Sequence, residues 1–240
     1  MTGSSGLVIV QPGGKLPELD DYPGDFADWI LAGMGLRGRD VHIVRPQRGE
    51  ALPPAAQVSA VVVTGSSAMV TDADEWIARS SDWLASVVAL GRPVLGICFG
   101  HQLLAHALGG EVADNPRGVE VGTVVTRSRP AAAGDPLFGS WPRQVAVQAS
   151  HRQSVLRLPE GADCLAASDK DPHHAFRFGA QCWGVQFHPE FSAQVVQAYI
   201  GYYARDLARQ GESVEKLQEN AVNTSLAAGL LADFAQFLQQ

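Results

Sequence analysis

Two short stretches carry residue types that could do nucleophilic chemistry. The first is Gly96-Ile97-Cys98-Phe99-Gly100-His101-Gln102. An apolar run, Val94 to Ile97, ends on a cysteine framed by glycines, and a helix-like pattern, Gln102 to Leu108, follows. A sharp strand-to-helix turn exposes one side chain at the carboxyl edge of a sheet, the arrangement described for serine in G-x-S-x-G. Small residues on either side let the backbone turn tightly and let a substrate approach. A sulfur at a helix N-terminus is favoured as thiolate by the partial positive charge there. The N–H of Phe99, next in the chain, could stabilise an oxyanion. Taken alone, Cys98 also fits a buried core cysteine.

The second stretch is Trp183-Gly184-Val185-Gln186-Phe187-His188-Pro189-Glu190. A strand-like run ends in His-Pro-Glu. In extended chain, residues i and i+2 face the same side, and Pro189 biases His188 to extended geometry. Imidazole and carboxylate should therefore lie side by side, as a general base and its orienter require. A lone histidine at a strand end is usually structural; paired with a cysteine elbow it gains a chemical reading. The remaining histidines have weaker claims. His101 and His106 are five apart and do not share a helical face, His173-His174 reads as a strand start, and His42 sits mid-strand. No zinc spacing is present, so no metal is expected, and no cofactor is implied.

The elements that must position these residues alternate. Leu7 to Val10, Val41 to Val44, Val58 to Thr64 and Val94 to Ile97 read as strands, the third a continuous β-branched run suited to burial on both faces. Asp25 to Met34, Asp72 to Leu90 and Gln102 to Leu108 read as helices between or after them. This alternation implies a doubly wound parallel sheet. Beyond residue 110 the character changes to short strands: Val119 to Arg127, Gln144 to Ala149, Cys164 to Ala167, Ala175 to Phe178 and Cys182 to Phe187, with Gly179-Ala180 as a hairpin tip. Helices return over Ser192 to Arg209 and within Val214 to Leu238, where Asn223-Thr224-Ser225 favours a break. With no Pro/Gly/Ser-rich linker and no repeat, one domain over residues 1–240 is expected, with a core of about 7–204 and a helical extension over 205–240.

Composition narrows the class. The 240 residues are 46% hydrophobic, enough for a sizeable core. A formal net charge of -7 with scattered arginines argues against a nucleic-acid surface. Three cysteines, Cys98, Cys164 and Cys182, make no disulfide framework. The start has no basic n-region, no apolar stretch approaches a membrane span, and the Gly3-Ser4-Ser5-Gly6 stretch carries no fold information. A soluble, reduced, cytoplasmic protein is expected.

Pro93 to Gln102 and Gly184 to Glu190 together resemble the class I, triad-type, glutamine amidotransferases. The resemblance covers about Leu7 to Ala204 and is similar in particular to free-standing members that resemble the amidotransferase part of GMP synthase. It implies a flavodoxin-like three-layer α/β sandwich with a mostly parallel central sheet. It implies a Cys98-His188-Glu190 triad that forms a γ-glutamyl thioester, with oxyanion donors at Phe99 and in the loop at Gly65-Ser66. That loop reads Thr64-Gly65-Ser66-Ser67, with Ser66 where a second glycine is usual. Gln102 matches a pocket-lining glutamine. Ser150, in Ala149-Ser150-His151-Arg152-Gln153, matches the substrate-binding segment, from whose usual pattern Arg152 and Gln153 depart.

Three readings of function follow. The first is an enzyme acting on the γ-glutamyl amide of glutamine or another small γ-glutamyl molecule, free-standing or as the ammonia-supplying partner of a synthetase. The second is a different cysteine hydrolase on a similar sheet, against which the distant His-Pro-Glu motif argues. The third is a non-catalytic binding or regulatory subunit, against which the intact triad argues. Val214 to Leu238 has apolar residues near helical spacing and is expected to pack on its own domain, a partner-docking face being the alternative. Trp76 is expected as a core aromatic rather than a cap on the pocket.

Overall fold

The computed structural model describes residues 5–37, 39 and 41–240; the Gly3-Ser4 half of the opening stretch lies outside them. Its main sheet has nine strands in the order β2-β1-β3-β4-β11-β10-β9-β6-β7. These are β1 (Ser5–Val10), β2 (His42–Val44), β3 (Val58–Val63), β4 (Val94–Ile97), β6 (Glu120–Ser128), β7 (Gln144–His151), β9 (Ala162–Ala167), β10 (Ala175–Phe178) and β11 (Cys182–Val185). The run from β2 to β11 is parallel, and the pairs beyond β11 are antiparallel. A second, two-stranded sheet joins β5 (Glu111–Asp114) to β8 (Gln153–Arg157). Neither of its strands is expected from sequence, because both are short and mostly lack β-branched runs.

The parallel strands are apolar on both faces because both are covered. On β1, Ile9 enters one core while Val8 and Val10 enter the other; on β3, Val62 and the pair Val61/Val63 divide the same way. Helices α1 (Phe26–Gly33) and α7 (Ser225–Phe237) cover the first face, and α2 (Glu75–Ala89) and α3 (Phe99–Ala107) the second. This is the flavodoxin-like three-layer arrangement. Leu230, Leu231 and Phe234 of α7 are buried in the first core. Each such burial is worth about 1.5–3 kcal/mol, so the C-terminal apolar stripe packs on its own sheet. The Ser192 to Arg209 stretch divides at Tyr203 into α4 (Ala193–Tyr202) and α5 (Ala204–Arg209). The last stretch divides into α6 (Val214–Glu219) and α7 around Asn223-Thr224.

Local chemistry sets the starts of the helices beside the carboxyl edge. Asp25 caps α1 by accepting from Phe26 N–H at 2.7 Å, while Asp28 accepts from Asp25 N–H at 2.9 Å. This reciprocal box satisfies donors the first turn leaves orphaned. Asp25 also accepts from Lys15 N–H and Gln11 Nε2, at 2.9 Å each, which folds the 11–17 loop over the edge. α3 begins at Phe99, three residues earlier than the apolar pattern indicates, because Gly100 and His101 are helical and buried as well.

Two glycines make that early start possible. A Cβ on Gly96 would collide with the Gly100 carbonyl, and one on Gly100 with the carbonyl of Val63 in β3. α3 therefore crosses β3 and β4 at backbone contact. Gly100→Ala is expected to cost about 1–3 kcal/mol through overpacking, read as a Tm several degrees below the parent in a calorimetric scan. An unchanged Tm would show that the helix can lift from the sheet at no cost.

Candidate active site

Loops at the carboxyl ends of β1, β3, β4 and β11 converge at one edge, where open α/β sheets place their ligands. Cys98 follows β4 immediately. Its backbone has φ 52° and ψ −103°, and it is the only non-glycine with positive φ among the described residues. Such a conformation costs about 1–3 kcal/mol and persists only where the surroundings impose it. Here they do: Cys98 N–H donates to Val185 O at 2.8 Å, Cys98 O accepts from Gln102 N–H at 3.1 Å, and the flanking glycines lock the crossing. Cys98 thus sits at the N-cap of α3, and the Phe99 N–H belongs to the first turn, which has no acceptor within its own helix.

His188 lies past the end of β11. Its N–H donates to Gln148 O at 2.8 Å, tying it to β7. Its ring stacks on Phe191 at 3.9 Å between centroids, with Phe26 beyond. Nδ1 is 2.7 Å from Glu190 Oε1, and both side chains are buried. The sequence places this pair on extended chain. In the structure β11 stops at Val185, and Phe191 N–H returns to His188 O at 3.3 Å in a turn, so the pairing comes from a bend around Pro189. With Nδ1–H donated to Glu190, the other ring nitrogen is left for Cys98, which lines the same cleft. Burial disfavours the imidazolium, but the Glu190 and Cys98 charges outweigh it and push the His188 pKa up to about 10.

The 64–67 loop closes the third side. A Cβ on Gly65 would come within 2.8 Å of His188 Cε1 and 3.7 Å of Cys98 Cβ, so only glycine fits against the pair. Ser66 is pinned by its hydroxyl, which donates to Pro12 O at 3.0 Å and accepts from Ala68 N–H at 3.1 Å. Cys98, His188, Ser66, Ser67 and Ser150 share one cleft of about 200 Å³. Its remaining wall is Gly14 to Pro17, Phe26, Tyr199, Tyr202 and Tyr203, none of which the sequence reading singles out. Phe26, Tyr199 and Tyr202 are on helices and Tyr203 is at the α4–α5 joint, where an aromatic side chain has no sequence signal to set it apart from a core residue.

Three expected binding residues lie off this wall. Gln102 is buried, and its Nε2 donates to Gln153 O at 2.8 Å and Gln186 Oε1 at 3.0 Å. Gln153 turns its amide to Thr71 Oγ1 at 2.7 Å and Asp114 Oδ1 at 3.2 Å. Arg152 pairs with Asp206 at 2.7 Å and lies over the Tyr203 ring at 6.0 Å. Trp76 stacks on Phe99 at 5.7 Å and lines a separate groove with Trp83, away from the cleft.

A second buried polar cluster adjoins the site. Glu120 Oε2 lies 2.9 Å from His151 Nε2 and 3.1 Å from His174 Nε2. The ligand-type atoms of these three residues lie within 4.8 Å of one another, and they are joined by hydrogen bonds. His101, also fully buried, meets the Phe176 ring at a tilt with centroids 5.0 Å apart, and burial holds it neutral with its pKa pushed down to about 3. The sequence signal for the cluster is the single acid opening the otherwise apolar run Glu120-Val121-Gly122.

A cysteine on a strained elbow, with a buried His–Glu pair beside it at the carboxyl edge of a parallel sheet, is an arrangement suited to cysteine-hydrolase chemistry on an α/β fold. The chain belongs to the class-I glutamine amidotransferase family, whose profile matches residues 18–200. It is 35% identical over 178 residues to GMP synthase [glutamine-hydrolyzing] of Aeropyrum pernix, a match covering 72% of this chain and 32% of the synthase. It is 34% identical over 137 residues to gamma-glutamyl peptidase 5 of Arabidopsis thaliana, covering 56% of this chain and 55% of the peptidase. The matched segments thus span about a third and about half of these relatives. The fold is shared with a glutamine amidotransferase of Methylobacillus flagellatus, at a TM-score of 0.78 and 23% identity over 98% of this chain and 94% of that one. Among the described residues no helix is long and apolar enough to cross a membrane.

The raised His188 pKa has a testable sign. The ring stays charged as pH rises above its ordinary 6.5 and loses its proton near 10. Its contribution to stability is full below 6.5 and is lost as pH rises through 10. Glu190→Gln removes a charge that raises this value, so an NMR titration of the His188 ring should move to lower pH by at least about one unit. An unmoved titration would mean that Glu190 does not carry the charge that holds the ring protonated.

Proposed function

We propose that this chain hydrolyses the γ-glutamyl amide bond of glutamine or of a γ-glutamyl compound, with Cys98 as nucleophile, His188 as acid and base, and Glu190 as its orienter. The observation that carries this is Cys98 held at φ 52° against a His188 ring whose far nitrogen is 2.7 Å from Glu190. The thiolate attacks the amide carbon, and the oxyanion meets the N–H groups of Phe99 and of the Gly65-Ser66 loop. The C–N bond breaks as His188 gives its proton to the departing nitrogen, leaving a γ-glutamyl thioester. Water then attacks, its proton passes to His188, and the C–S bond breaks to release glutamate. Ser150 lies on the cleft wall as part of the substrate-binding segment. The Arg152 guanidinium is engaged by Asp206, so it would meet a substrate only by exchanging that partner.

As substrate we favour a γ-glutamyl compound larger than glutamine. Leu16, Pro17, Tyr199, Tyr202 and Tyr203 continue the cleft wall around the Cys98–His188 pair, and a substituent on the scissile nitrogen would lie against this surface. The second reading, a glutaminase that supplies ammonia to a synthetase partner, is favoured by the 35% identity to a GMP synthase of which the match spans only 32%.

Cys98→Ala should abolish turnover and labelling by a glutamine-analogue chloroketone, whereas changes at Cys164 and Cys182 should not. His188→Ala should lower kcat by about a thousandfold or more, and Glu190→Gln by less, since removing a base costs more than removing its orienter. Full labelling of the Cys98→Ala variant would refute the nucleophile assignment. For the substrate, kcat/KM is compared between glutamine and a panel of γ-glutamyl amines and dipeptides. Higher values for the larger amides are expected. Negligible turnover of all of them, restored by a synthetase-type partner, would replace the free-standing reading with the ammonia-supplying one.

A further inference from the structure

His151 is the residue after Ser150, whose carbonyl oxygen lies 3.6 Å from Cys98 Sγ. Its ring is 1% exposed, and each nitrogen faces an oxygen acceptor. Nε2 is 2.9 Å from Glu120 Oε2, and Nδ1 is 3.0 Å from the backbone carbonyl of Gln153. A carbonyl can only accept, and an ionised carboxylate can only accept. A neutral imidazole has one N–H, so it would press a lone pair against one of these oxygens. The Ser154 hydroxyl, at 3.4 Å from Nδ1, is the more distant contact and does not remove the carbonyl at 3.0 Å.

Glu120 is built to stay ionised. Its Oε1 accepts from the Ser168 hydroxyl at 2.7 Å, and that hydroxyl oxygen already accepts from the N–H groups of Lys170 and Asp171. Its Oε2 takes both imidazole Nε2 groups. His174 can donate there as a neutral ring, since its Nδ1 has no hydrogen-bond partner among the described residues. His151 cannot, because both of its nitrogens face acceptors. We propose that His151 is a buried imidazolium, locked by Glu120 on one side and the Gln153 carbonyl on the other, that positions Ser150 and supports the Cys98 thiolate in addition to His188.

The need for such a charge follows from Ser150. Its carbonyl is a suitable acceptor for a thiol S–H and an unfavourable neighbour for a thiolate. A positive charge one residue along the strand offsets that bias. The charged and titratable groups facing His151 come from every surrounding element: Glu120 from β6, Asp171 and His174 from the segment before β10, His101 from α3, and Cys98 from the elbow. The balance agrees with the geometry. Burial opposes the His151 charge, but the Glu120 hydrogen bond, Asp171 and Cys98 raise its pKa, while burial is outweighed at Glu120 by both imidazoles, which hold that carboxyl far below its usual range. The catalytic consequence rests on Cys98 being the nucleophile; the charge state of His151 does not.

The test uses the full chain and Glu120→Gln. A glutamine at 120 can donate its amide N–H to His151 Nε2, keeping a hydrogen bond while discharging the ring. The first readout is the imidazole 15N shifts of His151 in the unmodified protein, where both nitrogens should be of the protonated type at pH 8. The second is iodoacetamide alkylation of the Cys98 peptide against pH, followed by mass spectrometry so that Cys164 and Cys182 are separated. Burial raises the pKa of both of those thiols, Cys182 to about 11. In Glu120→Gln the acid limb of Cys98 alkylation should move up by about one pH unit, which is tenfold less thiolate at a given pH below it. His174→Gln, which keeps a donor to Glu120 but leaves the ion pair intact, should not move it. A His151 ring that is a neutral tautomer at pH 8 would overturn the proposal, even if the variant does not fold. So would an unmoved alkylation profile in folded Glu120→Gln. Because neither readout needs a substrate, a failed proposal is distinguishable from a failed assignment of γ-glutamyl hydrolysis, which the turnover panel decides.

Discussion

The contact on which the rest depends is backbone against backbone, where α3 crosses β4 and β3 at Gly96, Gly100 and Val63. There is no space for a side chain between them. The crossing brings the first turn of α3 down onto the sheet, and the residue joining strand to helix has to adopt a conformation that L-residues avoid. Cys98 is that residue. Its side chain is thereby turned out to the edge where the β1, β3 and β11 loops end, and an N–H of a helix start lies beside it. The strain is maintained by the parallel ladder, since the Cys98 N–H is itself bonded to Val185 at the end of β11. The same strand that leads to His188 thus holds the cysteine it faces.

β7 performs the matching task from the antiparallel half of the sheet. Gln148 O fixes the His188 backbone, Ser150 O touches the sulfur, and His151 anchors the strand end to Glu120 of β6. Three functions within four residues of one strand need a rigid support, because a shift of one residue would displace both carbonyls and turn the His151 ring to the other face. A hydrogen-bonded charge pair is costly to bury and strongly directional. Placed at the end of β7, the Glu120–His151 contact opposes such a slip in a way that an apolar pair of equal volume would not.

Much of this was legible in the sequence, and the gaps have physical causes. The parallel strands were readable as continuous apolar runs, since burial on both faces leaves no room for polar residues, and Val94–Ile97 and Ala175–Phe178 have the boundaries expected. The elbow was readable because a tight backbone requires glycine at fixed places; the His188–Glu190 pairing was readable too, but as extended chain, where the structure has a turn around Pro189. β5 and β8 were not, being edge pairs of mixed polarity. The cleft wall at Tyr199, Tyr202 and Tyr203 was not, because a tyrosine lining a cleft and one packing a core have the same helical spacing. Gln102, Arg152 and Gln153 were named from a pattern, and the structure gives each a protein partner in place of the cleft.

These partners bear on how the site distinguishes substrates. Arg152 is the cation next in sequence to the Ser150-His151 pair, yet Asp206 neutralises it and Tyr203 covers it. Recognition of a substrate carboxylate by Arg152 would have to break a 2.7 Å ion pair that is only partly exposed, and exposed or half-exposed pairs of this kind are worth up to about 1 kcal/mol. That cost is below the roughly 1.5–3 kcal/mol that a hydrogen bond to a charged group contributes. The α4–α5 segment that supplies Asp206 also supplies the three cleft tyrosines. Charge on one side of Tyr203 and the aromatic wall on the other are therefore mechanically linked, and a substituent that displaces the tyrosines would also disturb the Arg152–Asp206 pair.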